Sequence, residues 1–346
     1  MSGTHSLNGS APSHRSPRRL VFATQVVDPS DPVLGATVAK LRALAAELDE
    51  LVVLADRAVE DVLPENCRVR TFGSGSVAGR AGRFLAGLRQ ELSPRPVAVV
   101  AHMVPRYAIL SAPLTRPARV PLVLWFTHWK ASRTLRLAER LSSAVVSVDR
   151  RSFPFPSAKV TGIGHGIDTQ AFACVERAQV EPLRAVALGR TSPAKGYEVI
   201  AQAASLAGVE LEIRGTSNTA EERAERARLE ALGVSVRSPV PFAEVPALLA
   251  GKDVLVDNMR EGALDKVVYE ASATGMPALA SNSGFDDVLP AELRFDRHDP
   301  AGLAERLERL KGVDRNALGR ELRARVEERH SVAHWAKALL EVAERC

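Results

Sequence analysis

Short runs rich in Val, Leu, Ile and Ala recur along almost the whole chain, each separated from the next by a stretch with helical spacing. In the first half, strand candidates fall at 20–26, 50–54, 67–71, 97–101, 120–126, 144–148 and 159–163. Helical stretches lie between them, notably at 36–48, 79–92 and 133–141; in the first, Val38, Leu41, Leu44, Ala45 and Leu48 share one face. The pattern then restarts. Strands are expected at 184–188, 209–214, 234–237, 254–257 and 277–280, and helices from 194 onward and at 220–232, 244–250, 266–274, 301–311 and 317–346. Apolar strands alternating with helices are the signature of parallel sheets covered on both faces.

The alternation breaks once, at 164–182, where Gly, Asp, Gln and Pro mix without periodicity. A length of 346 residues, about twice the usual single domain, agrees with that break. The expectation is an α/β chain of two Rossmann-like, doubly wound domains, 20–163 and 183–346, joined by a linker at 164–182 and finished by C-terminal helices. Residues 1–19 read as a flexible basic tail. Two such domains face each other across a cleft, and ligands dock where the strands present their carboxyl ends.

Other classes are excluded by composition. The longest apolar runs, such as 120–126, fall far short of the ~20 residues of a membrane span. Cys67, Cys174 and Cys346 are scattered and odd in number, which fits neither a disulfide framework nor a zinc knuckle and suits a reducing cytoplasm. The tail carries no apolar core segment and is not a secretory signal. No His/Asp/Glu cluster has metal-ligand spacing, and no Gly-x-Ser-x-Gly elbow is present. A glycine turn at 73–79 resembles a dinucleotide fingerprint but follows the third strand rather than the first, and reads as a loop.

The net charge of +5 averages unlike parts. Residues 20–180 hold 20 basic and 14 acidic side chains, and 181–346 hold 23 and 27. The stretch 78–151 alone carries 13 Lys and Arg against Glu91, Glu139 and Asp149. Such a basic platform suits either peripheral docking on anionic lipid or a solvated face. It does not suit nucleic acid, because no aromatic stacking array accompanies it.

Two segments carry chemistry. In Leu188-Gly-Arg-Thr-Ser-Pro-Ala-Lys-Gly-Tyr197, a strand ends and Pro193 can open a helix, so Arg190 and Lys195 flank a helix N-terminus that already favours an anion. Two cations there could hold a diphosphate without a metal, or could simply line a solvated loop. The segment 259–277 reads as loop, helix, Gly stop and strand. Glu270 on that helix is either solvated or a clamp for ligand hydroxyls, two of which one carboxylate can accept.

In order along the chain, LGR-x4-KG, Arg214-Gly215, V-P-ALLA-x-KDV and DKVVYEASATGMPALAS resemble glycosyltransferase family 4. Gly164-His-Gly-Ile-Asp168 followed by Phe172 is similar to that family's linker, with His165 where Asn is usual. The resemblance runs from Leu20 to the C-terminus and is strongest from 164 to 284. It implies the GT-B fold and a retaining transferase that moves a sugar from a nucleoside diphosphate sugar to a saccharide, lipid-linked or small-molecule acceptor. No cofactor or metal is implied, and the location is cytoplasmic, including the inner face of the membrane. A silent sugar-nucleotide binder and a sugar-nucleotide epimerase of the same fold remain as alternatives.

Residue by residue, Arg190 and Lys195 match the family's diphosphate pair and Glu270 its ribose-binding glutamate. The family's preceding glutamate falls at Gly262, with Glu261 one place early. Gly262, Asp265, Lys266 and Val267 could still give backbone amides and a cation to the donor. Gly189 and Gly215 match glycines of the donor loops, and Gly35 matches the first-loop glycine whose neighbours approach phosphate or acceptor. His128, in Val123-Leu-Trp-Phe-Thr-His-Trp129, matches a histidine beside the donor sugar, or packs between Trp125 and Trp129. His102 falls at the cleft edge by topology, in reach of an acceptor, or is an ordinary packed histidine.

Overall fold

The structure, a computed structural model, describes residues 17–31 and 33–346. The expected tail lies largely outside the described residues. It does not extend to 19: Arg19 opens the first strand with its guanidinium buried against Glu91, and Arg18 pairs with Glu344 at 2.7 Å.

Two parallel sheets form among the described residues. The first contains β1 (Arg19–Val27), β2 (Glu50–Ala58), β3 (Cys67–Thr71), β4 (Ala98–His102), β5 (Leu122–Trp125), β6 (Ala144–Ser147) and β7 (Val160–Gly162). Their order is β3-β2-β1-β4-β5-β6-β7. The second contains β8 (Arg184–Leu188), β9 (Glu210–Arg214), β10 (Val236–Arg237), β11 (Val254–Asp257) and β12 (Ala278–Ala280), ordered β10-β9-β8-β11-β12. Strand order reverses between β1 and β4 and again between β8 and β11, which puts a crevice at the carboxyl end of each sheet.

Helices cover both faces. They are α1 (Ala36–Ala46), α2 (Val77–Glu91), α3 (Pro105–Thr115) and α4 (Arg133–Leu141) on the first sheet, and α5 (Tyr197–Leu206), α6 (Ala220–Ala231), α7 (Val245–Ala250) and α8 (Lys266–Ala273) on the second. The chain closes with α9 (Pro300–Lys311), α10 (Arg315–His330) and α11 (Val332–Glu344). The predicted helix at 317–346 is in fact two. Ser331 ends α10 and caps α11 by accepting from His334 N at 3.2 Å.

That break has a consequence for the cleft. It turns α11 back across the linker, so that Trp335 packs edge-on against Trp125 of β5 at 5.4 Å between ring centroids. Ile167 N donates to His330 O at 2.6 Å and Val332 N to Ile167 O at 2.9 Å, tying linker to helix junction. One continuous apolar body therefore runs from β1, α1 and β5 through α11 to α8 and β11. Each fully buried Leu, Val or Phe in it contributes about 1.5–3 kcal/mol.

Candidate functional site

A cleft of about 1130 Å³ opens where the loops after β8, β9 and β11 face the loop after β5. It gathers His128, Gly189, Arg190, Lys195, Gly215, Asp265, Lys266, Val267 and Glu270.

The helix expected from Ala194 begins later. Pro193–Lys195 form a short 3-10 turn, Gly196 adopts a left-handed φ of 54°, and only then does α5 start at Tyr197. This detour turns Lys195 inward rather than around a helix end. Gly189 makes room for it: at φ 137°, a Cβ there would stand 2.5 Å from Lys195 Cε. Lys195 Nζ donates to Leu188 O at 2.8 Å and to Asp257 Oδ1 at 3.1 Å, and Asp265 receives a third, short bond. Burial works against its charge, but Asp257 and Asp265 outweigh that and raise its pKa well beyond the ordinary lysine range. Asp257, by contrast, is pushed up to about 7 by burial and by Asp265, although Lys195 opposes the shift.

Arg190 takes the other side. Its side chain is 60% exposed and its Nη1 donates to Glu222 at 3.3 Å. Gly215 lies against Gly189, where a Cβ would come 2.1 Å from the Gly189 carbonyl, so the loops after β8 and β9 touch directly. On α8, Glu270 is buried with its carboxylate 2.9 Å from Lys266 Nζ, one turn earlier, and that ammonium sits 4.0 Å from the Phe242 ring centre. The solvated alternative for Glu270 is thereby removed.

From the first sheet, His128 reaches the cleft half-buried. Its Nδ1 accepts from Lys130 N at 3.0 Å, which leaves Nε2 as the donor of the neutral ring. Burial, then the charges of Arg190 and Lys130, hold its pKa below the ordinary value. Its ring stacks on Trp129 at 5.5 Å, and Arg260 covers that indole at 4.3 Å. The packing alternative placed it between Trp125 and Trp129; it touches the second, while Trp125 is buried against Trp335.

Three expected residues stand apart from the cavity. Gly35 cannot bring free amides to a ligand. Its N–H donates to Asp31 O at 2.9 Å, and the Asp31 carboxylate accepts from Val33 N and Leu34 N. A Cβ on Gly35 would also meet Phe242 at 3.1 Å. His102 lies beneath the cleft, 3% exposed, with Nδ1 2.9 Å from Thr24 Oγ1 and its pKa lowered to about 3 by burial and Lys40. It is a packed histidine. Gly262 borders the rim at φ 80°, where its Cβ position is 3.7 Å from Trp129 Cβ.

Glu261 does not move into the place of the family's first glutamate. Its oxygens accept from Ser283 N at 2.8 Å and Ser283 Oγ at 3.0 Å. Asp257, Trp129 and Arg260 are site residues that sequence reasoning missed. Asp257 had a signal, since it terminates a strand at its carboxyl end in a Val-Leu-Val-Asp run.

Two parallel, doubly wound sheets facing across such a cleft are the architecture of GT-B glycosyltransferases. Residues 182–311, which hold the loops after β8, β9 and β11 and helix α8, match the family model described as Glycosyl transferases group 1. No curated protein matches the chain. Among solved structures, Anabaena HepE in complex with UDP-glucose aligns with a TM-score of 0.74 at 16% identity, covering 95% of this chain and 100% of that one. Sucrose-phosphate synthase from Thermosynechococcus elongatus aligns at 0.71 and 15%, covering 95% and 99%. AviGT4, a glycosyltransferase involved in avilamycin A biosynthesis, aligns at 0.69 and 14%, covering 95% and 98%.

Proposed function

We propose that this protein transfers a sugar from a nucleoside diphosphate sugar to an acceptor hydroxyl, with the anomeric configuration retained. The observation that supports it is the meeting in one cleft of Arg190, Lys195 and Lys266 with the buried carboxylate of Glu270. Cations in that number suit a diphosphate, and a carboxylate one helical turn from Lys266 suits a ribose diol. Gly189, Gly215, Gly262, Asp265 and Val267 shape the donor loops around them.

In the reaction, the bond from the anomeric carbon to the diphosphate oxygen breaks and leaves an oxocarbenium-like sugar. Arg190 and the Lys195 and Lys266 ammonium groups stabilise the negative charge growing on the leaving diphosphate. The acceptor oxygen bonds to the anomeric carbon on the face the diphosphate leaves, and its proton passes to a departing phosphate oxygen. His128, neutral and donating through Nε2, hydrogen-bonds the sugar during this step. No enzymic nucleophile, metal or cofactor is invoked.

The acceptor is a saccharide, a lipid-linked sugar or a small molecule, in the cytoplasm and, for a lipid, at the inner face of the membrane. Helix α4 supports that docking, with Arg133, Arg136 and Arg140 exposed beside Leu137, which is 47% exposed. No described helix is long and apolar enough to cross a membrane. The lipopolysaccharide outer core galactosyltransferase WaaB, which shares this fold, supports cell-envelope or exopolysaccharide synthesis as the proposed setting. One observation favours a second reading, a silent sugar-nucleotide binder: Glu261 is engaged by Ser283, and no carboxylate stands at 262.

Mass-spectrometric screening of nucleotide sugars against candidate acceptors separates the readings. Transfer yields glycosylated acceptor and free nucleoside diphosphate, an epimerase turns over donor without acceptor, and a binder releases nothing. R190A should abolish transfer with an unchanged thermal transition; full activity in R190A would remove the assignment.

A further inference from the structure

The end of the cleft nearest the first sheet is lined by Trp129, Lys130, Arg260 and Glu261, with Gly262 on the rim beside Trp129. A neutral sugar hydroxyl both donates and accepts, and a carboxylate is a strong partner for the proton it donates. The acids available here are already engaged. Glu261 accepts twice from Ser283, and Asp265 is bound to Lys195. The cations are not. Lys130 and Arg260 are exposed into the cleft, and neither has a carboxylate partner among the described residues. Arg260 only lies over the Trp129 indole, its guanidinium carbon 4.3 Å from the ring centre.

Arg297 adds to the same field from the cleft wall. It donates to the carbonyl oxygens of Asn258 and Pro193 and forms no ion pair among the described residues, although Asp257 lies close enough to act on its charge. The depressed basicity of His128, caused after burial by Arg190 and Lys130, reports the same local excess of positive charge. A diphosphate would answer Arg190, Lys195 and Lys266. It would leave Arg260 and Lys130 unanswered at the sugar end. Arg260, flat on an indole and fed from a loop that also touches Ala194 O, presents a planar fork that matches a carboxylate or phosphate.

We propose that this end of the cleft selects an anionic sugar, one bearing a carboxylate or a phosphate, seated on Arg260 and Lys130. The inference rests on the transferase reading and specifies its substrate class. The anionic group can belong to the transferred sugar or to the acceptor, and the experiment has one arm for each.

Calorimetric titration first establishes which of UDP, GDP, ADP and dTDP binds. In the donor arm, the glucose and glucuronate conjugates of UDP are compared, or the mannose and mannuronate conjugates of GDP if that nucleotide is preferred. In the acceptor arm, glucose and glucose 6-phosphate are titrated onto protein saturated with the nucleoside diphosphate. At least one arm should favour the anionic ligand by about tenfold, as a charge-assisted fork contact implies. R260A and K130A should each shrink that ratio several-fold, while R260K should keep part of it. A preference, in whichever arm shows it, that is unchanged in both variants, or no preference in either arm while a nucleoside diphosphate binds, overturns the anionic-sugar site and leaves the transferase reading standing. Failure of all four nucleotides to bind overturns the transferase reading and this site with it.

Discussion

The ammonium of Lys195 is held 3.1 Å from the carboxylate of Asp257, and Asp265 closes on it from the cleft side. The cation proposed for a diphosphate is therefore already answered by two acids, one with its pKa pushed up to about 7. An anion binding Lys195 would compete with these carboxylates, and Asp265, the less buried of the two, is the one expected to yield. Removing its charge should help binding. D265N is expected to tighten nucleoside diphosphate affinity by about three- to tenfold, equivalent to roughly 1 kcal/mol. Unchanged or weaker binding by titration calorimetry would show that Asp265 serves the ligand rather than competing with it.

His128 gives a spectroscopic test of the same charges. Arg190 and Lys130 lower its pKa by repelling a second proton on the ring, beyond the effect of burial. A bound diphosphate cancels part of that repulsion. The imidazole, followed by NMR, should titrate below pH 6.5 in the free protein and move upward when nucleoside diphosphate is added. An unmoved titration would place the anion away from His128.

Much of this site was readable because it is local. The strands, the LGR-x4-KG loop and the helix carrying Glu270 are set by residues within a turn or two of one another. Lys195 turns inward because of Asp257, 62 positions later, and no periodicity announces that pairing. The fate of Gly35 was closer to legible. Asp31 stands two and three residues before the amides it takes, the ordinary habit of an aspartate at a turn. The split of the last helix at Ser331 is a capping signal inside an unbroken apolar pattern, and the pattern outweighed it.

Lys40 is a second lesson of that kind, since it sits on α1 among the residues that face the core. It is 5% exposed, its Nζ 5.0 Å from the Trp125 ring centre and 5.4 Å from Trp335, with its stem pressed on Gly166 of the linker. Burial, then Lys266, lower its pKa to about 7, with Glu270 opposing. The unfolded chain keeps that proton up to about pH 10.5 while the folded chain gives it up near 7. Between those values the unfolded state binds more protons, so stability rises with pH, by up to about 1.4 kcal/mol per unit. K40M should be more stable than the wild type at pH 7, and the gap should narrow as pH climbs to 9. A gap that stays constant across thermal melts at pH 7, 8 and 9 would mean that Lys40 stays charged in the fold.

A glutamate placed at 262, where the resembled family carries one, should not create a neutral-sugar site. Gly262 adopts φ 80°, a conformation that costs an L-residue about 1–2 kcal/mol. Its Cβ position faces Trp129 Cβ at 3.7 Å, so a side chain there enters the gap that Arg260 covers. A carboxylate in that gap pairs with Arg260 and cancels the unanswered charge at the sugar end. G262A should lose about 1 kcal/mol of stability from backbone strain alone. G262E should lose as much and also lose the proposed preference for the anionic ligand, in whichever of the donor and acceptor arms shows it, seen as converging affinities in calorimetry. If G262E instead gains turnover with a neutral donor at undiminished stability, the loop can relax into the common arrangement, and glycine at 262 is not what sets the selectivity of this cleft.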